Sequence, residues 1–290
     1  MQSIIDFLLL MLKLAVPLVF AAEGAMIAER SGVICLGVEG LMLFGSFFGA
    51  WGSYLTGSAW LGIGLAVCAG LLVSLLYGVF AIYLKGQQIV VGVAINMLAA
   101  GITPMLCSIV WGNEGFGATV PFVRNITLPG SVGSLTPFAP LTLLMVAAMW
   151  FFIRKTKYGL RLRMTGDNPL GVQTCGINTN RYKLAAVLAC GVLSAIGGAY
   201  LSVGNGNVFV ANMVAGRGYM GVAANIFGGW TPVGGALAGV FFAAVQTLRY
   251  TLVDIQIPTQ LMQMLPYVVT LIALLAFGRN SKSVEGLGKL

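Results

Sequence analysis

The chain contains no histidine and few charged residues. Histidine is absent from all 290 residues, and charged residues make up 8% of them. A soluble domain normally carries about 25% charged residues. The lack of histidine removes the commonest metal ligand and general base, and no cluster of acids and bases replaces it. We therefore expect no catalytic residues, no metal site and no cofactor, and a membrane-embedded enzyme is disfavoured.

Nucleotide-binding and disulfide motifs are also missing. None of the five cysteines forms a CxxC pair, and four of them lie in apolar runs, which predicts buried free thiols. Gly288-Lys289 lacks the upstream glycine and the following Ser/Thr of a P-loop. The chain therefore cannot hydrolyse ATP by itself in the P-loop manner.

What the chain does have is apolar sequence, at 58% hydrophobic residues with a mean hydropathy of +0.93. A helix crosses a bilayer with about 20 apolar residues. The predicted spans lie near 4–22, 33–55, 59–84, 88–111, 138–153, 183–203, 210–229, 233–252 and 259–277. We predict an all-α polytopic membrane protein forming one transmembrane domain over 1–290, with about eight to ten helices. Glycines within 33–55 and 210–229 indicate broken or re-entrant segments.

The net charge of +8 is unevenly distributed. Seven basic residues lie between Arg154 and Lys183, as in a cytoplasmic loop under the positive-inside rule. This pattern argues against nucleic-acid binding. It places the loop 154–182 in the cytoplasm and the Gly/Pro-rich loop 112–137 outside. The side of the N-terminus stays open, because one broken helix within 21–55 would reverse it.

The loop 154–182 contains the signals of a short helix. Asp167 or Asn168 can serve as the N-cap, Pro169 suits the first helical position, and Gly176 suits the left-handed C′ position. The pattern predicts a helix of about two turns, which is too short to be stable alone in water. An ordinary solvated loop is one interpretation. The other is a protruding helix that docks into a cytoplasmic partner and transmits its motion.

Three stretches stand out as motifs: Glu29-Arg30-Ser31-Gly32-Val33 through Gly40, Gly166-Asp167-Asn168-Pro169 through Ile177, and Gly216-Arg217-Gly218-Tyr219-Met220 through Pro232. In order and spacing they resemble the permeases of bacterial ABC importers, in the branch for simple sugars and nucleosides. That branch is related to the ribose and branched-chain amino-acid permeases. The sequence departs from the family's usual pattern at Cys35, where Asn is commoner, and at Asn225, where an apolar residue is commoner.

The resemblance implies a translocation subunit of the cytoplasmic (inner) membrane. Its implied partners are an ABC ATPase with two domains in one polypeptide, a second permease copy or paralogue, an extracytoplasmic substrate-binding protein and the lipid bilayer. The loop 154–182 would then hold the coupling helix that contacts the ATPase, through Asp167, Asn168, Pro169, Leu170, Gly176 and Ile177.

Polar and aromatic residues inside the spans are the candidates for the substrate pathway. They are Glu39, Asn96, Thr103, Asn225, Phe44, Phe47, Phe227 and Trp230. For Glu39 a structural partner such as Arg30 is favoured over substrate. For Asn96 and Asn225, substrate contact and helix–helix hydrogen bonding are equally well supported, and for the aromatics packing is the alternative to stacking on a base.

Nucleosides are the first expectation for the substrate, because the Glu29-Arg30-Ser31-Gly32-Val33 opening looks most like that subgroup. A ribose-like sugar or a vitamin is the alternative. A secondary transporter driven by an ion gradient is a different class, since Glu23, Glu39 and Asp254 provide carboxylates within or near the spans. The cytoplasmic helix at 168–175 separates the two classes, because a secondary transporter does not need it.

Overall fold

The computed structural model describes residues 2–113, 115–124, 126–127, 134–251, 268 and 286–288. The α-helices in these ranges are α1 (Gln2–Arg30), α2 (Val38–Thr56), α3 (Ala59–Gly78), α4 (Gln88–Trp111), α5 (Phe138–Lys155), α6 (Lys157–Asp167), α7 (Pro169–Thr174), α8 (Thr179–Ala199), α9 (Arg217–Phe227) and α10 (Pro232–Thr251). The π-helical segments Val79–Tyr83 and Tyr200–Gly206 extend α3 and α8. The two-residue strands β1 (Ile126–Thr127) and β2 (Ser134–Leu135) pair antiparallel. The all-α class is confirmed.

Among the described residues, five segments are long and apolar enough to cross a membrane. They are Ile5–Arg30, Ala59–Tyr83, Gln88–Trp111, Phe138–Lys155 and Thr179–Gly206. The polytopic membrane fold predicted from hydropathy is therefore confirmed. The total of eight to ten crossings stays a prediction, since the span at 259–277 lies outside the described residues.

Helix α1 extends eight residues beyond the predicted end at residue 22. The helix continues to Arg30 because Glu23 and Glu29 are buried in protein, where α1 packs against α8, α9 and α10. The chain then leaves the helix through Gly32 at φ +90°. The interruption expected within 33–55 consequently precedes α2, which runs unbroken from Val38.

Helix α2 lies at the centre of the bundle, between α3 and α8. Its glycines permit this packing: a Cβ on Gly45 would collide with the backbone of Ala195, and a Cβ on Gly52 would lie 3.0 Å from Gly62 Cα. Close approach of backbones through small residues is the usual basis of helix packing in membranes. The glycines of the predicted span 33–55 therefore serve packing rather than a break.

Helix α9 is a half-helix, as predicted for the run 210–229. Its 11 residues rise about 16 Å at 1.5 Å per residue, which is roughly half the hydrocarbon thickness of a bilayer. The residues before it, 207–216, are not helical. They pair with the loop that follows α4, through hydrogen bonds such as Gly117 N–H to Phe209 O at 2.9 Å.

The C-terminal end of α1 lies at the same end of the bundle as α6 and α7. Gly286 N–H donates to Gly166 O at 2.9 Å, and Gly288 N–H donates to Gly32 O at 2.9 Å. Because α1 is one continuous helix, its N-terminus points to the opposite end. If the basic loop 154–182 is cytoplasmic, as we predict, the first residues of the chain are outside.

The cysteines are free, as expected. Three are buried, and Cys35 Sγ lies 3.6 Å from Cys190 Sγ. The prediction of burial is wrong for Cys68, which is exposed on the outer surface of α3, where an apolar run faces outward rather than into the bundle. Cys175, in the predicted cytoplasmic loop, is also exposed.

Candidate functional site

The start of α2 is closed by a side chain from α4. Asn96 Nδ2 donates to Leu36 O at 2.8 Å, and Asn96 Oδ1 accepts from Gly40 N–H at 2.8 Å. The first N–H groups of a helix have no partner within it, so the Asn96 amide satisfies one of them. A Cβ on residue 40 would lie 2.9 Å from Asn96 Oδ1, and glycine is therefore required there.

The start of α9 is capped by the carboxylate of Glu39, in the first turn of α2. Glu39 Oε1 accepts from Gly216 N–H at 2.7 Å, and Glu39 Oε2 accepts from Gly218 N–H at 2.7 Å. A helix N-terminus carries partial positive charge and free N–H donors, which stabilise an anion. The partner of Glu39 is thus structural, as favoured from the sequence, but it is a helix start rather than Arg30, whose Nε donates to Trp230 O.

Tyr219 joins these two helix starts. Its hydroxyl accepts a hydrogen bond from Asn96 Nδ2 at 2.8 Å, and its side chain is 46% exposed. Asn96 thereby uses both amide hydrogens and one carbonyl lone pair within the protein. The Tyr219 hydroxyl keeps its own hydrogen available to donate. We name Glu39, Asn96 and Tyr219 the junction; it lies where α2, α4 and α9 meet.

The junction was only partly found from the sequence. Glu39 and Asn96 were candidates, and the structure brings them together through Gly40 and Tyr219. Tyr219 was missed, although it lies within the Gly216-Arg217-Gly218-Tyr219 motif. The signal that could have indicated Tyr219 was its place directly after Gly218, at a helix start that has a glycine on each side.

Other predicted pathway residues lie away from the junction. Asn225 and Trp230 contact Glu29, whose Oε2 accepts from Asn225 Nδ2 at 2.7 Å and from Trp230 Nε1 at 2.6 Å. All three side chains are buried, so they tie the end of α1 to the residues at the end of α9. Asn225, a departure from the family's usual pattern, therefore has a structural partner.

The remaining candidates lie in packing contacts, with Thr103, Phe44 and Phe47 buried and Phe227 partly buried. Thr103 Oγ1 donates to Ala99 O at 2.8 Å within α4. The ring of Phe227 lies 5.6 Å from that of Phe242. Phe47 is fully buried among aromatic rings that include Trp111 and Phe209, and Phe44 is also buried. Aromatic packing accounts for all three rings.

The short helix predicted in the basic loop is confirmed as α7. Asn168 is its N-cap, with Oδ1 accepting from Gly171 N–H at 3.0 Å, and Pro169 is its first residue. Gly176 has a φ of +77°, as expected for the left-handed position after the helix. Leu170 is 73% exposed. The helix thus presents an apolar side chain at the end of the bundle.

A cavity of about 690 Å³ lies beside α7. Asp167, Asn168, Pro169 and Leu170 line one side of it, and Lys85 lines another part. Ile177, the last predicted coupling residue, is partly buried just after α7. An exposed short helix next to an open recess is suited to docking a second protein. No cluster of metal-ligating residues occurs in the part of the chain that the structure describes.

Comparison with known proteins identifies the family. Residues 7–274 match the family described as "Branched-chain amino acid transport system / permease component". The nucleoside ABC transporter permease NupC of Lactococcus lactis is 35% identical, over 92% of this chain and 90% of that protein. The guanosine ABC transporter permease NupQ of Bacillus subtilis is 33% identical, over 91% and 89%.

A third relative is TsgC13 of Haloferax volcanii, which is provisionally named as a glucose ABC transporter permease. It is 32% identical, over 81% of this chain and 74% of that protein. No solved structure matches the chain. Members of this family are the membrane subunits of transport systems rather than enzymes, and they work with an ATPase and a substrate-binding protein. The chain is a multi-pass protein of the inner membrane, and it belongs to the family of permease components of branched-chain amino acid transport systems.

Proposed function

We propose that this chain is the translocation subunit of an ATP-driven ABC importer that carries nucleosides into the cytoplasm. The observation that carries the proposal is its similarity, over about nine tenths of its length, to two permeases named for nucleosides and guanosine. Nucleosides were also the first expectation from the Glu29-Arg30-Ser31-Gly32-Val33 motif.

The junction is the best-supported place for substrate contact. Binding sites in transporters commonly form where helices are interrupted near the bilayer midplane. The exposed ring of Tyr219 offers a surface for stacking on a nucleobase, and its hydroxyl can donate to a ring nitrogen or a ribose oxygen. Asn96 and Glu39 hold Tyr219 and the start of α9 in place. In this role they position the pathway without contacting substrate.

The pathway is completed by a second permease, identical or paralogous. Helix α4 presents an exposed apolar face beside the junction, on which Met97 is 73% exposed and Val93 is 42% exposed. A partner subunit facing this surface would enclose a route next to Tyr219.

At the cytoplasmic end, α7 with Leu170 at its tip docks into the ATPase, which has two domains in one chain. An extracytoplasmic binding protein delivers the substrate at the other end.

Ion coupling has less support. Of the carboxylates that could relay a cation, Glu39 is committed to two backbone N–H groups of α9, and Asp254 lies outside the described residues. Glu23 is buried, and its carboxylate oxygens have no hydrogen-bond partner among the described residues. The presence of α7, which an ion-coupled transporter does not need, also favours the ATP-driven class.

Uptake by intact cells tests the proposed substrate. Cells lacking the gene are given labelled uridine, adenosine or ribose, with and without the wild-type gene restored. We expect restoration of nucleoside uptake alone. Restored ribose uptake with unchanged nucleoside uptake would assign the permease to sugars, the class suggested by TsgC13. Unchanged uptake of all three would refute the nucleoside proposal.

The role of Tyr219 is tested in the same cells. Tyr219→Ala should raise the KM for nucleosides about tenfold, the effect of losing one stacked ring and one hydrogen bond. Tyr83→Ala is the matched control, because Tyr83 is a comparably exposed tyrosine, at 51%, on the extension of α3. Equal KM values for the two variants would remove Tyr219 from the pathway.

A further inference from the structure

A second cavity, of about 630 Å³, lies between α6 and the start of α8, beside the turn that follows α7. Its lining includes Tyr158 and Arg161 from α6 together with Arg181, Tyr182 and Ala185 from α8. Ala185 lies four residues after Arg181 and three after Tyr182, so its side chain neighbours both of theirs on the surface of α8. The cavity is thus formed by two helices together with the turn at 176–178 that precedes α8.

The charge of this cavity is of one sign. Arg161 and Arg181 contribute guanidinium groups, and no aspartate or glutamate is among the described residues that line it. Arg161 Nη1 donates to Tyr182 Oη at 3.1 Å, which orients the guanidinium and leaves the Tyr182 hydroxyl hydrogen free to donate. Two guanidinium groups and two phenols form a donor set suited to the oxygens of a phosphate.

The position of the cavity favours a lipid over a soluble ligand. Helix α6 begins two residues after the last residue of the spanning helix α5, and α8 is itself a spanning segment. The cavity therefore lies where the bilayer surface meets the basic end of the bundle. Tyrosine and arginine are typical of that level. Ala185, one turn deeper along α8, is exposed and continues the cavity toward the apolar region.

The lining of the cavity beside Leu170 differs from that of the cavity at Arg161, and it is better suited to contact with a protein. It carries both signs of charge, from Asp167, Lys85 and Lys183, and it adjoins the exposed tip of α7. The cavity at Arg161 has basic and aromatic groups and an apolar edge. Basic pockets between spanning helices on the cytoplasmic side are suited to anionic headgroups.

We propose that the cavity formed by Tyr158, Arg161, Arg181 and Tyr182 binds the phosphate headgroup of an anionic phospholipid from the cytoplasmic leaflet. The acyl chains leave along the exposed face of α8 at Ala185. Because the site adjoins Gly176 and Ile177 at the end of α7, the bound lipid also braces the segment that follows this helix.

The test measures lipid binding to the transporter complex, purified in detergent through this chain. A fluorescent short-chain phosphatidylglycerol is titrated and then displaced by unlabelled phosphatidylglycerol, phosphatidylcholine, glycerol phosphate or inorganic phosphate. We expect saturable binding that phosphatidylglycerol displaces and the other three displace poorly. Each arginine removed should weaken binding about fivefold, so Arg161→Gln with Arg181→Gln should weaken it about 30-fold.

Two controls accompany the double variant. Lys157→Gln removes a neighbouring exposed charge that does not line the cavity, and it should leave binding unchanged. Arg161→Lys with Arg181→Lys keeps the charge and should retain most of the binding, which separates loss of a ligand group from loss of folding.

Three results would overturn the proposal. One is equal affinity of the wild type and the double glutamine variant for phosphatidylglycerol. Another is displacement by inorganic or glycerol phosphate as effective as by phosphatidylglycerol, which would make the ligand a soluble phosphate. The third is unchanged lipid binding combined with loss of the ATPase from the double variant, which would assign this surface to the ATPase. None of these results tests which solute the wild-type permease carries, so the two proposals fail separately.

Discussion

Glu39 Oε2 lies 2.7 Å from the backbone nitrogen of Gly218, although 179 residues separate them along the chain. Through this contact and its counterpart at Gly216, one carboxylate in the first turn of α2 holds the start of α9. Helices α9 and α2 are therefore joined directly through this carboxylate. This linkage connects the exposed Tyr219 to the core of the bundle.

Removing the carboxylate should loosen α9. Glu39→Ala leaves two backbone N–H groups without their acceptor, at a cost of about 3 kcal/mol, since a hydrogen bond to a charged group contributes about 1.5–3 kcal/mol. Glu39→Gln keeps one acceptor and should lose about half as much. Thermal unfolding of the purified protein measures both. Equal melting temperatures for wild type and Glu39→Ala would contradict the capping role.

Gly218 should not tolerate a side chain. A Cβ at this position would lie 2.6 Å from Glu39 Cα, so Gly218→Ala forces α2 and α9 apart at a cost of about 1–3 kcal/mol. Gly101→Ala is the matched control, because Gly101 is also helical and has nothing within 4 Å of its Cβ position. That control should be neutral or slightly stabilising. If both variants unfold at the same temperature, the close approach of α2 and α9 is not real.

A side chain at Gly176 would strain the backbone after α7 without contacting any neighbouring residue. Gly176 has a φ of +77° and open space around its Cβ position, so Gly176→Val costs about 1–3 kcal/mol in the backbone alone. Coupled uptake or ATPase attachment should be lost while membrane insertion persists. Gly57→Val imposes the same strain, at φ +68° with equally open space, in the turn between α2 and α3. It should leave coupling intact.

Loss of uptake in both valine variants would trace the defect to general instability. Normal uptake in Gly176→Val would remove α7 from the coupling mechanism.

Cys175 reports the side of the membrane on which α7 lies. It is exposed at the end of α7, whereas Cys35, Cys107 and Cys190 are buried. A membrane-impermeant maleimide should label Cys175 in inside-out vesicles and fail to label it in intact spheroplasts. The bound ATPase should protect it. Cys175→Ser identifies the labelled site, and labelling from outside would reverse the orientation inferred from the basic loop.

Local signals in the sequence were enough to predict α7. Asn168, Pro169 and Gly176 act within a few residues of one another, so their roles follow from backbone chemistry alone. The spanning segments were likewise readable from hydropathy. The end of α1 was not, because Glu29 is accommodated by Asn225 and Trp230, which are about 200 residues away.

The candidate site was harder to predict for the same reason. A structural partner such as Arg30 was expected for Glu39, and only the packing of α2 against α9 shows that the partner is a helix start. Asn96 looked equally suited to substrate and to helix contact, and the structure shows it making three hydrogen bonds within the protein. Tyr219 stands out only once those bonds are known.

The most direct test of the central claim is ATP-dependent uptake of labelled adenosine by proteoliposomes that contain the permease, its ATPase and its binding protein. We predict accumulation that unlabelled uridine suppresses and unlabelled ribose does not. Accumulation should be impaired by Tyr219→Ala and preserved by Tyr83→Ala. No adenosine accumulation under conditions in which labelled ribose accumulates would contradict the account.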